Sequence, residues 1–253
     1  MSFLRNFKNQ LSKSIEINMP RMRTQPKLFH YCYILASNNL KTLKKALINS
    51  KKKQHNLKIL DIGCGNKPFL NLFDKNDNYI GIDFSKDSCA DIIQDLNKDF
   101  PFDNDYFDMI IISETLEHLP DPLKVLNETS RVLKRKGIIF ISTPFCLNIH
   151  GRPYDYYRYT EYFYTQWITS KLPIKCKSIN VSNSIITTPL GLLPYIVLVI
   201  PFIPNFLKSI FNIIINLNII ALEKLFLPIR NKSFIKNFMN SLPLGYAVIL
   251  EKK

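Results

Sequence analysis

Ile59-Leu60-Asp61-Ile62-Gly63-Cys64-Gly65-Asn66 is the stretch that decides how this chain reads. A buried apolar strand running into a glycine turn brings the backbone close to whatever binds there. Gly63 and Gly65 carry no side chain to obstruct that approach, and the turn can use positive φ. A second apolar run, Tyr79-Ile80-Gly81-Ile82-Asp83, ends on a carboxylate able to accept both hydroxyls of a ribose at once. Asp61 and Asp83 lie 22 residues apart, the spacing of one β-α-β unit. A nucleoside-bearing ligand is therefore expected. The third glycine of the G-x-G-x-x-G turn of dinucleotide enzymes is missing, because Pro68 occupies its place.

Working outward, further motifs follow in a fixed order. After Asp95-Leu96 comes Phe107-Asp108-Met-Ile-Ile-Ile-Ser113-Glu114-Thr-Leu-Glu117-His118-Leu-Pro-Asp-Pro122. Glu128-Thr-Ser-Arg-Val-Leu-Lys-Arg-Lys-Gly137 then leads into the strand Ile138–Ser142. Over residues 57–145 this ordered set resembles the class I S-adenosylmethionine-dependent methyltransferases, in the broad small-molecule group sometimes called type 11. The resemblance implies S-adenosyl-L-methionine as cofactor. It also implies that Asp61, Gly63, Cys64, Gly65 and Ser113 form the cofactor end of the sheet. Asp83 would hold the ribose, and Asp95 with Leu96 would flank the adenine.

The 253 residues are 46% apolar, enough for one substantial core, with or without an appendage. Five scattered cysteines, none spaced C-x-x-C, argue against a disulfide framework or a zinc ribbon and for a reducing cytosol. The N-terminus is basic and amphipathic with no apolar h-region, so no signal peptide is expected. The net charge of +14 is placed unevenly: residues 1–53 hold twelve Lys or Arg against Glu16 alone. Such an arm suits an anionic membrane surface or a phosphate backbone, or else forms a solvated helix covering one side of the sheet.

Helical spacing runs over 28–49, with Leu28, Tyr31, Leu35, Leu40, Leu43 and Leu47 on one face. Strand-like runs follow at Leu57–Leu60, Tyr79–Ile82, Met109–Ser113, Ile138–Ser142, Ile174–Val181 and Gly245–Leu250, with helical stretches near Phe69–Phe73 and Pro122–Leu133. The alternation predicts an α/β, Rossmann-like fold. The resemblance completes it as a mostly parallel seven-stranded sheet, helices on both faces, the last strand antiparallel. Four segments are expected: a basic N-terminal helical arm over 1–53, the cofactor-binding core over 54–184, an apolar helical insertion over 185–230, and the final strand within 231–253.

The insertion stands out. Ile179–Leu207 contains no charged side chain, and after Lys208 a second uncharged run reaches Leu222. Length alone would allow a spanning helix. Pro189, Pro194, Pro201 and Pro204 break the first run, while Asn212, Asn216 and Asn218 interrupt the second. A hairpin dipping into one leaflet accounts for both features. A lid packed on the core or a dimer interface would account for the apolarity as well.

Two clusters fall where acceptor groups belong, beyond the carboxyl ends of the strands. Glu114-Thr-Leu-Glu117-His118 matches the E-x-x-E-H of ubiquinone-pathway O-methyltransferases. That resemblance places Glu117 and His118 beside the acceptor, where two carboxylates and an imidazole could hold a divalent ion; whether a metal is used stays open. His150-Gly-Arg152-Pro153-Tyr154-Asp155-Tyr156-Tyr157-Arg158-Tyr159-Thr160 resembles the loop of methyltransferases encoded among surface-polysaccharide and glycosylation genes. Its tyrosines suit sugar ring faces, while Asp155 and Arg158 suit hydroxyls or a phosphate. His150 is the expected general base, with His118 as the alternative. Tyr154, Asp155, Arg158 and Glu117 are expected to contact the acceptor. The sequence thus points to O-methylation of a sugar or lipid-linked glycan at the cytoplasmic membrane face. RNA methylation through the basic arm, or cofactor binding without turnover, remain alternatives. No RNA-binding module is recognisable, so a nucleic-acid partner is not favoured.

Overall fold

The structure is a computed structural model that describes residues 22–52, 55–230 and 233–253. The basic side chains of Arg5, Lys8, Lys13, Arg21 and Lys53, counted above in the N-terminal arm, lie outside those residues.

Seven strands form one sheet: β1 (Lys58–Ile62), β2 (Asn78–Asp83), β3 (Ile92–Ile93), β4 (Phe107–Ser113), β5 (Leu133–Pro144), β6 (Ile174–Ser182) and β7 (Gly245–Lys252). Their spatial order is β3-β2-β1-β4-β5-β7-β6. The pairs from β3 through β5 are parallel, and β7 runs antiparallel between β5 and β6. The expected fold class is therefore the observed one. Ile59, Leu60 and Ile62 of β1 and Met109–Ile112 of β4 are fully buried, as strands covered on both faces require.

Two cores flank the sheet. On one face α1 (Tyr33–Lys51) inserts Leu43, Ala46 and Leu47 against Ile59, Met109, Ile111 and Phe140. The described part of the N-terminal arm is thus built into the core: residues 22–24 are helical, turns follow over 28–32, and the long helix begins at Tyr33. On the other face α2 (Pro122–Val132) contributes Val125, Leu126 and Val132. Asp121 caps α2 by accepting the Lys124 amide at 3.0 Å, and Pro122 occupies its first turn, where its missing N–H costs nothing. A π-helical turn (Phe163–Trp167) leading into the short α3 (Ile168–Lys171) places Tyr164 in the same core. The expected helix near Phe69–Phe73 is only a 3₁₀ turn over Leu70–Leu72.

Between β6 and β7 lie α4 (Thr188–Leu198), α5 (Asn205–Arg230) and α6 (Ser233–Met239). Two expectations need correction here. Pro194 does not break α4, and Asn212, Asn216 and Asn218 do not interrupt α5, which runs unbroken for 26 residues. Asn218 donates to the Ile214 carbonyl of its own helix, and the other two asparagines donate to carbonyls outside it. The segment from 231 onward also holds α6 before its strand begins.

Candidate active site

The parallel ladders bring the ends of β1, β2, β4 and β5 to one edge of the sheet. Gly63 and Gly65 both have positive φ, +69° and +50°. The Gly63 and Cys64 amides donate to the Ile82 carbonyl at 2.8 and 3.3 Å, which folds the turn over the end of β2. The two glycines differ in what surrounds them. A Cβ on Gly63 would overlap Thr115, whereas one on Gly65 would meet nothing within 4 Å. Only Gly65 borders the open space a ligand would fill.

Asp83 is buried, and each of its carboxylate oxygens accepts a backbone N–H: Oδ2 from Gly65 at 2.8 Å and Oδ1 from Ser85 at 2.9 Å. Each oxygen has a further lone pair for a ribose hydroxyl. Asp61 is also buried and accepts the Tyr79 hydroxyl. Burial pushes its carboxyl up to about 7, against the opposing pull of the Tyr79 hydrogen bond and the Arg23 charge. The buried Cys64 thiol is likewise raised by desolvation.

Ser113, buried at the end of β4, shares a 2.9 Å hydrogen bond with Ser142 of β5. Of the pair expected beside adenine, Leu96 is buried in the core, and only Asp95 presents an exposed side chain. Asp95 accepts the Asn97 amide at 2.9 Å.

The two acceptor clusters meet. Glu114, with φ +50° after β4, turns the chain into a 3₁₀ segment over Leu116–His118. Its Oε1 accepts from Asn39 of α1 at 3.3 Å, and burial together with the Glu117 charge raises its carboxyl pKa. The Glu117 carbonyl accepts the Tyr156 and Tyr157 amides, while the Tyr159 hydroxyl donates to the Leu116 carbonyl. These bonds clamp the 148–159 loop onto the β4 turn. As a result the Glu117 side chain, 0% exposed, lies 3.6 Å from both His118 Nε2 and His150 Nε2. Neither carboxylate oxygen has a hydrogen-bond partner among the described residues.

His150 is held from its other side. Its backbone amide donates to Asp155 Oδ2 at 2.9 Å, and its Nδ1 lies 3.4 Å from the same oxygen. Asp155 in turn accepts both guanidinium nitrogens of Arg158, at 2.5 and 2.8 Å. That pairing holds the Asp155 carboxyl down at about 2. The Asp155 side chain is 1% exposed, so it orients His150 and faces away from the opening. Tyr154, Tyr156 and Tyr157 are the exposed tyrosines of the loop, and the Tyr154 carbonyl fixes His118 through Nδ1 at 2.9 Å.

Glu117, His118 and His150 each offer one ligand atom, all within 4.8 Å of one another. One carboxylate and two imidazoles fit a divalent transition ion, and the unpartnered Glu117 oxygens agree with such a charge. The sequence pairing of Glu114 with Glu117 and His118 is thus replaced in space by His150. Tyr79, Thr115 and Asn39 were not singled out from sequence. Each acts through a contact across the fold, to Asp61, Gly63 and Glu114 respectively.

With this geometry in place, a family model described as "Methyltransferase domain" matches residues 34–170. The chain belongs to that family, and the cofactor of such a domain is S-adenosylmethionine. A ubiquinone biosynthesis O-methyltransferase of Pelagibacter ubique is 34% identical over 111 residues, 38% of this chain and 45% of the relative. A demethylmenaquinone methyltransferase of Staphylococcus carnosus is 28% identical over 121 residues, 42% and 50% of the two chains. The chain spans about half the length of the curated relatives it matches. Among solved structures, one described as a sarcosine dimethylglycine methyltransferase from Galdieria sulphuraria superposes with a TM-score of 0.52 at 14% identity, covering 84% of both chains. At that identity the match concerns the fold alone.

The glycines give a first test. Gly63→Ala should cost roughly 2–4 kcal/mol of stability in urea unfolding, from overpacking against Thr115 plus the positive φ. Gly65→Ala should cost only about 1 kcal/mol, yet weaken S-adenosylmethionine binding in calorimetry. Equal stability losses would contradict the geometry.

The second test is a titration. The Glu117 carboxylate beside His150 raises its imidazole above the ordinary 6.5, so the ring keeps its proton to higher pH. Its NMR resonance should titrate above that value, and Glu117→Gln should bring it down. An unmoved midpoint in the variant would remove Glu117 as the cause.

Proposed function

We propose that the protein is an S-adenosylmethionine-dependent O-methyltransferase. Its acceptor is a hydroxyl of a sugar or lipid-linked glycan intermediate, met at the cytoplasmic face of a membrane. The meeting of His150 with Glu117 and Asp155, beside three exposed tyrosines, carries this reading. The sulfonium cofactor supplies an activated methyl group, so the protein's task is to align the acceptor with it. A hydroxyl must also lose its proton, and an imidazole oriented by carboxylates on two sides suits that step. Tyr154, Tyr156 and Tyr157 offer faces on which a sugar ring can pack. Asp155 and Arg158 serve the site by fixing His150.

A second reading draws on the matched relatives. The ubiquinone biosynthesis O-methyltransferase among them suggests a hydroxyl on a lipid-soluble aromatic ring, and the demethylmenaquinone methyltransferase suggests a ring of the same class. Both readings place the acceptor at a membrane. RNA methylation has no comparable support, since no recognisable RNA-binding module accompanies the exposed lysines Lys41, Lys44 and Lys45 of α1.

The test is turnover with labelled cofactor against lipid-linked sugars, nucleotide sugars and quinone precursors, with mass detection of the product. His150→Ala should lower turnover ~10²–10⁴-fold on the true acceptor while cofactor affinity barely changes. Near-normal turnover would remove His150 as the base and leave His118 or alignment alone.

A further inference from the structure

Helix α5 is built inside out. On its inward stripe Lys208, Asn212 and Asn216 are at most 8% exposed, and Glu223 bonds inward on the same side. Each bonds to protein, although Asn212 Oδ1 has no partner among the described residues. Lys208 Nζ donates to the Leu198 carbonyl at the end of α4, at 2.8 Å. Asn212 donates to the Phe29 carbonyl at 3.0 Å, and Asn216 to those of Leu28 and His30 at 2.8 and 3.2 Å. Glu223 accepts the Ser184 amide at 2.8 Å and the Thr187 hydroxyl. The outward stripe is apolar: Phe206, Ile210, Ile214, Leu217 and Leu225 are 49–68% exposed. Only 17% of the most apolar 18-residue window of Asn205–Ile229 is buried. A helix on a water-soluble surface has the opposite arrangement.

Other observations specify the medium. Ser209 and Asn218, on the outer side, donate to carbonyls one turn back, Asn205 at 3.0 Å and Ile214 at 2.8 Å. Such bonds leave these two side chains without need of a solvent partner. The turn from α4 to α5 carries Phe202, 91% exposed. After Glu223 the chain turns basic at Lys224 and Lys236, which complements anionic headgroups, whereas Lys175 and Lys177 pair with Glu251 at the opposite edge of the sheet. The hairpin leaves the sheet at the carboxyl end of β6, which is parallel to β5 through their shared partner β7. It therefore emerges at the edge that carries the site.

We infer that α5 lies in the plane of one anionic leaflet, with its outward stripe among the acyl chains and its polar stripe against the protein. This rests on the membrane part of the proposed function and adds orientation and depth. A spanning pose fails on geometry. From Lys208 to Glu223 the inward stripe is bound to protein over about 22 Å of helix axis, so crossing would carry the backbone carbonyls of 28–30 into hydrocarbon.

The experiment places a single tryptophan on α5. In full-length protein carrying Trp167→Phe, separate variants Ile210→Trp, Ile214→Trp, Leu217→Trp and Leu225→Trp are mixed with phosphatidylglycerol-containing vesicles. Those vesicles carry lipids brominated at shallow or deep acyl carbons. Shallow bromines should quench all four tryptophans best, and equally. Quenching that deepens steadily along the helix would mean a spanning pose and overturn the inference. Absent quenching would also overturn it, whether sedimentation then shows a dimer closed over the stripe or a monomer. A double variant, Ile210→Glu with Ile214→Glu, should lose at least ~10-fold in vesicle partitioning while keeping its circular dichroism. Unchanged partitioning would again overturn the inference. Quenching needs no acceptor, so failure to methylate any offered lipid-linked or quinone substrate would refute the acceptor assignment and leave the leaflet result intact.

Discussion

Everything at the site depends on the register of two parallel ladders. Asp61 pairs with Gly81 on one side and with Ile111 on the other, so β1, β2 and β4 end at nearly one level. The glycine turn, Asp83 and the Glu114–His118 turn are neighbours for that reason alone. A one-residue slip in β1 would reverse which of its side chains face each core, and it would carry Asp61 out of reach of Tyr79. The fully buried strand interiors hold this register, since any slip would bury polar groups and open cavities on both faces.

The same edge gathers buried acids, and their management explains much of the local chemistry. Asp61, Glu114 and Glu117 all lie near the strand ends, and for Asp61 and Glu114 desolvation opposes ionisation. Asp61 is answered by a hydroxyl, Glu114 by an amide, and Arg23 favours the charged form of both. Glu117 has only two imidazoles at a distance just beyond hydrogen bonding. A buried carboxylate left in this way is costly on its own. A cation between it and the histidines would offset that cost.

Much of this was legible in the sequence because the signals were local. Continuous apolar runs named the central strands, and the glycines before a second acidic strand end named the turn that folds over β2. Strand ends were underestimated where polar residues such as Lys134, Arg135 and Lys136 continue β5 beyond its apolar stretch. The two-residue strand β3 is too short to leave a pattern. In the insertion Pro189, Pro201 and Pro204 do bound the helices, but Pro194 and the asparagines misled, the asparagines because their usual effect on helices assumes water as the alternative partner. In α5 the asparagines find carbonyls across the fold instead. The Glu117–His150 encounter joins residues 33 apart through backbone bonds between two loops, and no spacing rule encodes it.

The two amides that hold Asp83 have a kinetic meaning. The turn is latched by protein groups alone, with the Gly65 and Ser85 amides fixed to the carboxylate expected to meet the ribose. Little ordering entropy is then left to spend on arrival. Capture should be limited by diffusion and by expulsion of water from around Gly65, with no slow loop closure at this edge, so differences in affinity among variants of the turn would appear chiefly as differences in how long the cofactor stays.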